Sequence, residues 1–168
     1  MKRIKYVIFT TLALFLMITN SKAQETLQSK IDSNEKYIVL NDNYTENLLI
    51  KENQELTIDL NGYTITWTID NLGSLTIKSS KNGGKIVRTD GSAGQAAIYV
   101  GDNDAQVTGK FILESGTIIN EKGYGVACFS GSTAIINDGE INSVSSSLSG
   151  NNTLGSMNFI VNGGTLNT

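Results

Sequence analysis

The chain lacks histidine and proline altogether and has one cysteine and one tryptophan among its 168 residues. Without histidine, the commonest general base is missing and no serine–histidine pair can form. One cysteine and no histidine also leave too few of the usual ligands for a zinc site. The lone cysteine, Cys128, excludes an internal disulfide, and its apolar, strand-like surroundings predict a buried structural thiol. The absence of proline suits uninterrupted strands.

Basic residues are scarce once the first 23 residues are set aside. The full chain has 13 Lys and Arg against 16 Asp and Glu, and four of the basic residues lie in 1–23, which leaves a net charge of −7 for the rest. This balance disfavours nucleic acid and anionic membrane surfaces as partners, since both recruit clustered Lys and Arg. The one remaining arginine is Arg88, for which we expect an outward, solvated side chain.

The N-terminus is organised like a secretory signal peptide. Three basic residues precede an apolar run over 7–18, and the small residues Ser21 and Ala23 precede a predicted cleavage site at Gln24. The run is shorter than the roughly 20 residues that span a bilayer, and an uncleaved anchor is the alternative. No lipid-attachment cysteine lies near this site. We therefore expect a secreted or cell-surface protein with no membrane insertion after cleavage.

Internal repetition is the most informative feature of the remaining chain. Five segments each combine alternating apolar residues, a polar residue with glycine, and a second short apolar strand. A period near 23 residues with this alternation is typical of one rung of a β-solenoid, in which stacked rungs bury a continuous core. The repeated glycines are Gly62, Gly84, Gly116, Gly139 and Gly164, at intervals of 22, 32, 23 and 25 residues.

The repeat predicts which side chains face inward and where the chain turns. The polar–glycine pairs suit corners that need a left-handed backbone, and third strands are expected over 97–100 and 125–129. The long interval holds a polar stretch, 101–105, which is expected to bulge from its rung as a loop. A β-sandwich built of hairpins is the competing fold, although the regular three-strand period favours the solenoid. The predicted inward residues are Leu56, Ile58, Leu60, Leu75, Ile77, Phe111, Leu113, Ala134, Ile136, Phe159 and Val161.

We divide the chain into a signal peptide (1–23), an N-terminal cap (24–44) and β-helix rungs (45–168). The cap is expected to be a short helix with Leu27 and Ile31 on one face, followed by a first strand. The sequence stops at Thr168 in the middle of a repeat, with no cap. Three interpretations are open: an artificial stop, a domain boundary in a longer protein, or a docking edge that promotes self-association.

The segment 55–66, Glu-Leu-Thr-Ile-Asp-Leu-Asn-Gly-Tyr-Thr-Ile-Thr, and the following Gly-Ser-Leu-Thr-Ile of 73–77 resemble the first rungs of bacterial surface proteins of the pectate-lyase-like superfamily. The resemblance covers nearly all of residues 24–168. It implies a right-handed parallel β-helix of about five rungs. It does not imply one function, because this superfamily includes polysaccharide lyases, glycosidases, adhesins and phage tailspikes.

The residues that an enzyme of this superfamily needs are hard to find. Its lyases use Arg or Lys with Ca²⁺ held by carboxylates, yet no ladder of carboxylates accompanies Arg88 in the repeat register. Glycosidase chemistry needs two carboxylates about 5 to 9.5 Å apart. Asp102 and Asp104 are the only pair at suitable spacing, and they also suit a Ca²⁺ site; ordinary turn chemistry is the favoured interpretation. Asp138 and Glu140 flank a corner glycine and are explained by the turn. We predict no cofactor.

Binding is the stronger expectation, since a β-helix offers long flat faces to a ligand. Tyr99 and Tyr124, near the third strands, are candidates to line a groove, together with Asp102 and Asp104. Trp67 is expected in the core because it alternates with Ile65. Three threonines at 64, 66 and 68 form a row that later rungs do not repeat, so strand propensity explains them. The serine-rich tract 143–152 is expected to be a polar loop.

The sequence therefore predicts a non-enzymatic, adhesin-like β-helix module, secreted or on the cell surface, with polysaccharide as the expected partner. The first alternative is an N-terminal fragment of a polysaccharide lyase or glycoside hydrolase whose catalytic residues lie outside this chain. The second is a purely structural stalk.

Overall fold

The computed structural model describes residues 25–168, so the predicted signal peptide and its cleavage site lie outside the described residues. One short helix, α1 (Leu27–Asp32), precedes a series of short strands. In chain order the strands are β1 (Tyr37–Val39), β2 (Tyr44–Thr45), β3 (Leu48–Ile50), β4 (Glu55–Asp59), β5 (Thr64–Thr66), β6 (Ile69–Asn71), β7 (Ser74–Lys78), β8 (Lys85–Arg88), β9 (Ala96–Val100), β10 (Lys110–Leu113), β11 (Thr117–Asn120), β12 (Tyr124–Phe129), β13 (Thr133–Ile136), β14 (Glu140–Ser143), β15 (Ser146–Asn151), β16 (Asn158–Val161) and β17 (Thr165–Asn167).

Each strand up to β14 pairs in parallel with the strand three places later in the chain, and this pairing builds three sheets. Sheet 1 has the order β1-β4-β7-β10-β13-β16, sheet 2 runs from β2 through β5, β8, β11 and β14 to β17, and sheet 3 has the order β3-β6-β9-β12-β15. This parallel β-solenoid confirms the predicted architecture and excludes a sandwich of hairpins, whose strands would be antiparallel. The coil has about six turns rather than the predicted five. The prediction missed the rung over 37–50 because this rung lacks the glycine corner that marks the others in the sequence. Its right-handed sense stays a prediction, supported by the strong preference of parallel crossovers.

The core is a set of stacked columns of aliphatic side chains inside the coil. Strand alternation buries one side of each strand, and parallel register then places the inward residues of successive rungs above one another. One column runs through Leu56, Leu75, Phe111 and Ala134, each at most 1% exposed. The predicted inward set is confirmed in these rungs. In the last rung Phe159 is only partly buried and Val161 is half exposed, because no described residue packs on its outer side.

Helix α1 covers the N-terminal end of the coil, at the first rung, as the sequence predicts. Leu27 and Ile31, one turn apart, are fully buried. Thr26 caps the helix by accepting a hydrogen bond from the Ser29 amide (3.0 Å). The Glu46 carboxylate accepts bonds from the first amides of the helix, that of Leu27 at 2.7 Å, where the helix dipole favours negative charge. Within residues 25–168, no helix has the length and apolar character needed to cross a membrane.

The corner between sheets 1 and 2, which we call the glycine corner, explains the repeated glycines. Gly62, Gly116, Gly139 and Gly164 have φ between +83° and +100°, a region that favours glycine. The third rung differs from the expectation, because its left-handed residue is Gly83 (φ +89°) rather than Gly84. Gly84 is required for space, since a Cβ there would lie 2.1 Å from the Ser79 hydroxyl oxygen.

The serine-rich tract 143–152 is not the loop that its composition predicts. Strand β15 occupies most of it and pairs with β12 in sheet 3. Ser147 faces inward, and its hydroxyl donates to the Asn167 carbonyl (2.7 Å) with the Ile141 carbonyl also in reach (3.1 Å), so its polar atom is satisfied inside the coil. Stacking on an existing strand therefore overrides local propensity. The following loop covers 152–157.

Candidate functional site

The corner between sheets 3 and 1, which we call the variable corner, differs in length from rung to rung. Only 72–73 separate the strands in the second rung, whereas 101–109 do so in the third and 152–157 in the fifth. These two long loops rise beside the outer face of sheet 3. The loop predicted over 101–105 is therefore confirmed, and it is closed by a bridge between Asp102 and Val107.

The outer face of sheet 3 carries a hollow that we call the Tyr99 hollow. Parallel register places Leu49, Asp70 and Tyr99 in one outward column across β3, β6 and β9. On the next rung Phe129 stacks on Tyr99, with ring centroids 6.1 Å apart and planes inclined by 14°. With Leu72 and Asp102, these residues line a hollow of about 350 Å³. An aromatic pair bordered by two carboxylates offers apolar contact and hydrogen-bond acceptors in one place.

Asp70 is the electrostatically unusual residue of the hollow. It makes no direct hydrogen bond or ion pair with any of the described residues 25–168, although it remains accessible to solvent. Desolvation by the surrounding protein raises the pKa of its carboxyl; the positive charge of Arg88 opposes this effect and the negative charge of Asp102 adds to it. The carboxylate is thus held in the fold without a counter-charge bonded to it.

Asp102 and Asp104 lie in the loop 101–109 and have different environments. The Asp102 carboxylate oxygen Oδ1 accepts bonds from the amides of Asp104 (2.8 Å) and Ala105 (3.3 Å), as in an Asx turn. This geometry supports the turn interpretation. Asp104 lines a neighbouring hollow that also includes Asn151 and Leu154. Among residues 25–168, no cluster of three or more His, Cys, Asp or Glu side chains is placed to hold a metal ion.

Tyr124 does not join Tyr99 in this hollow. It begins β12, whereas Phe129 ends that strand, and five residues of strand separate the two by about 16 Å. Its backbone carbonyl accepts a bond from the buried Asn120 amide nitrogen Nδ2 (2.7 Å), which fixes the turn before β12. Of the four predicted binding residues, the structure brings Tyr99 and Asp102 together, places Asp104 next to them, and leaves Tyr124 apart.

Arg88 is not the outward, solvated residue expected from composition. It is 6% exposed and points into the coil at the end of β8. Its guanidinium donates to the Ala96 carbonyl (2.5 Å), the Gln95 side-chain oxygen (3.1 Å) and the Asp90 carboxylate (3.2 Å). Asp90 and Gln95 lie in the turn that joins β8 to β9, and Ala96 is the first residue of β9. Arg88 therefore ties down this turn, and its register neighbour is Asn120 rather than a carboxylate.

Trp67 is not in the core, contrary to the expectation from alternation. Strand β5 ends at Thr66, and Trp67 sits on the corner beyond it with φ +105° and 40% of its surface exposed. A positive φ turns its side chain away from the alternation of the strand and is unfavourable for a bulky residue. The threonine row is not a ladder either, since Thr64 and Thr66 stack on Lys85 and Val87 of the next rung.

Cys128 is buried inside the coil, which confirms the structural thiol. It is 0% exposed and pairs in register with Val100 of the rung before. Burial raises the pKa of its thiol to about 12, so the reactive thiolate is suppressed at neutral pH.

Phe129, Asp70 and Leu49 belong to the hollow although the sequence patterns did not predict them as binding residues. The signal was present for Phe129, because aligning the two predicted third strands pairs Ala127 with Tyr99 and places Phe129 two residues further along on the same face. Strand β6, which carries Asp70, is three residues long and too polar to be recognised as a strand by itself. Leu49 belongs to the rung without a glycine corner.

Comparison with models of protein families, with curated protein sequences and with solved structures found no match to this chain.

Proposed function

We propose that this chain is a non-enzymatic, adhesin-like β-helix module that is exported and binds polysaccharide through the Tyr99 hollow. The features of residues 1–23 support export, to the cell surface or the medium. The segments 55–66 and 73–77 support a place within the pectate-lyase-like superfamily of bacterial surface proteins. The parallel solenoid is consistent with that assignment.

The stacked pair of Tyr99 and Phe129 is the observation that carries the proposal. Sugar rings present patches of C–H groups that pack against aromatic faces, while their hydroxyls bond to nearby polar groups. Asp70 and Asp102 supply acceptors beside the rings, and the loops of the variable corner form a wall. An elongated face of parallel strands suits a linear chain of sugars better than a compact metabolite.

Binding to a panel of polysaccharides, followed by affinity measurements on variants, tests the proposal. Tyr99→Ala and Phe129→Ala should each weaken binding by about five- to tenfold, since a good aromatic contact is worth roughly 1–1.5 kcal/mol. Tyr37→Ala is the matched control, because Tyr37 is 49% exposed on sheet 1, away from the hollow. No binding to any glycan would overturn the proposal and favour a stalk; equal losses in all three variants would overturn the assignment to this hollow.

A polysaccharide lyase or hydrolase fragment is the second candidate, favoured by one observation. Desolvation raises the pKa of Asp70, and the negative charge of Asp102 adds to this effect. A carboxyl group with a raised pKa beside a second carboxylate is a feature of acid–base pairs in enzymes. Against it, the Oδ1 atom of Asp102 is bonded to two loop amides. Release of reducing or unsaturated sugar ends by the purified chain would establish the enzyme, and loss of that release in Asp70→Asn would assign it here.

Self-association through the C-terminal edge is a further part of the proposal. Strands β16 and β17 each pair with one neighbour, so their outer backbone groups have no strand partner within residues 25–168. Val161 and Leu166, on these strands, are 50% and 39% exposed. Unpaired, apolar strand edges promote pairing between chains. Sedimentation of residues 24–168 should show concentration-dependent dimers that Val161→Lys abolishes, and a strictly monomeric chain would contradict the proposal.

A further inference from the structure

Three of the hollows that the loop 101–109 lines share one charge character. Asp102 lines all three, Asp70 lines one and Asp104 another. Among the described residues that line them there is no lysine or arginine. A ligand lying across these three hollows therefore meets aromatic surface and carboxylates, and no fixed positive charge.

The nearest cations do not alter this character. Arg88 is buried, and its guanidinium already donates to Ala96, Gln95 and Asp90. Lys110 lines a different hollow of the variable corner, together with Thr108 of the same loop and the acidic Glu55. A ligand on the aromatic pair therefore has no lysine or arginine side chain among the described residues lining the hollow to pair with.

We propose that the Tyr99 hollow selects glycans without acidic groups and prefers those that carry free amino groups. This inference rests on the proposed function, since it names the class of polysaccharide that the same site takes. A uronate carboxylate on the aromatic pair would lie beside Asp70 and Asp102 without a counter-ion. Neighbouring like charges repel, so this arrangement is unfavourable. An ammonium group there would form charge-assisted hydrogen bonds.

Asp70 is the residue that makes the preference specific rather than a general effect of net charge. Its carboxylate has no bonded partner among residues 25–168 and stands in the same outward column as Tyr99, one rung away. A sugar stacked on Tyr99 would thus bring its substituents beside Asp70. Asp102 adds to the negative potential in the hollow, but its carboxylate also accepts hydrogen bonds from amides of its own loop. Asp70 makes no such bonds in the described part of the chain, so its substitution tests the charge alone.

Calorimetric titration with three matched oligosaccharide series tests the inference: glucosamine, N-acetylglucosamine and galacturonate oligomers. We expect the glucosamine series to bind about tenfold more tightly than the N-acetylated series, which is the size of one charge-assisted hydrogen bond of roughly 1.5 kcal/mol. The galacturonate series should not bind. Asp70→Asn should remove most of the preference for the glucosamine series, because the amide keeps an acceptor oxygen but carries no charge.

Asp138→Asn is the matched control, because Asp138 is an exposed carboxylate at the glycine corner and its loss changes the net charge equally. It should preserve the preference. Equal affinity for glucosamine and N-acetylglucosamine oligomers, tighter binding of galacturonate, or the same loss of preference in both variants would overturn the inference and leave the proposed function standing. No binding to any of the three series, or to the wider polysaccharide panel, would overturn the proposed function itself.

Discussion

The glycine corner and the variable corner are made by the same chain in the same coil, yet they differ in how strictly they repeat. At the glycine corner, five rungs turn through a glycine with φ between +83° and +100°. At the variable corner, the connection ranges from 72–73 to the long loop 101–109. The comparison teaches that a solenoid needs a regular turn at one edge to keep its register, and leaves another edge free to carry a binding surface.

The largest effect on stability is expected when a side chain is introduced at the glycine corner. Gly139 has φ +94°, and a Cβ there would lie 2.7 Å from the Gly116 carbonyl oxygen. Gly139→Ala should lower the free energy of unfolding by about 2–4 kcal/mol, measured by chemical denaturation, since strain and overlap add.

Gly94→Ala is the control for that variant. Gly94 lies in the turn between β8 and β9 and has no positive φ, and a Cβ added there would have no other atom within 4 Å. Its stability should change by no more than about 0.5 kcal/mol. Equal losses in the two variants would contradict the claim that the glycine corner is the strict one.

A second prediction concerns Arg88, which holds an irregular turn in place. Arg88→Ala would leave the Ala96 carbonyl without its donor inside the coil. We expect a loss of about 2–3 kcal/mol in the free energy of unfolding, and a smaller loss for Arg88→Lys, which keeps the charge but not the fork of donors. A solvated arginine would instead give changes near zero in both variants.

Trp67 tests whether strain is tolerated at the corner between sheets 2 and 3. At φ +105°, glycine is favoured over any residue with a Cβ. Trp67→Gly should therefore be more stable than Trp67→Ala by about 1 kcal/mol, the reverse of the usual order within strands. Thermal denaturation of the two variants side by side measures the difference, and an alanine variant of greater stability would refute it.

The smallest expected effect is at Asp70. Its pKa is raised in the folded protein, so the folded state binds a proton more readily than the unfolded chain, and stability falls as pH rises through the window between the ordinary and raised pKa values. Asp70→Asn should raise the melting temperature by about 1 °C or less at neutral pH, because Asp70 is exposed and solvent screens its charge. The gain should vanish below the ordinary pKa of aspartate. A gain independent of pH would contradict this origin.

The repeat made the strands and the core predictable, because alternation and corner glycines are imposed by backbone geometry. Arg88 could have been placed as well, since alternation from the inward Ile86 already turns it inward, and this local pattern outweighs the average preference of arginine for solvent. Trp67 shows the converse, because alternation stops at the corner where φ becomes positive. Ser147 shows that pairing with an existing strand outweighs composition.

The candidate site was less predictable than the fold. Tyr99 and Asp102 were named from the sequence, but the direction of Tyr99 depends on where β9 begins, and the position of Asp102 depends on how its loop folds. The contact between Tyr99 and Phe129 joins two rungs, and Asp70 reaches the hollow only through the register of three successive strands. Such contacts between rungs follow from the exact lengths of the intervening loops, which one sequence does not fix.

The most direct test of the central claim is an NMR map of backbone amide shifts during titration with glucosamine and N-acetylglucosamine oligosaccharides. We expect saturable shifts confined to Asp70, Tyr99, Phe129 and the loop 101–109, with the glycine corner unchanged. Shifts centred on the glycine corner, or none that saturate, would contradict the division between a structural corner and a binding one.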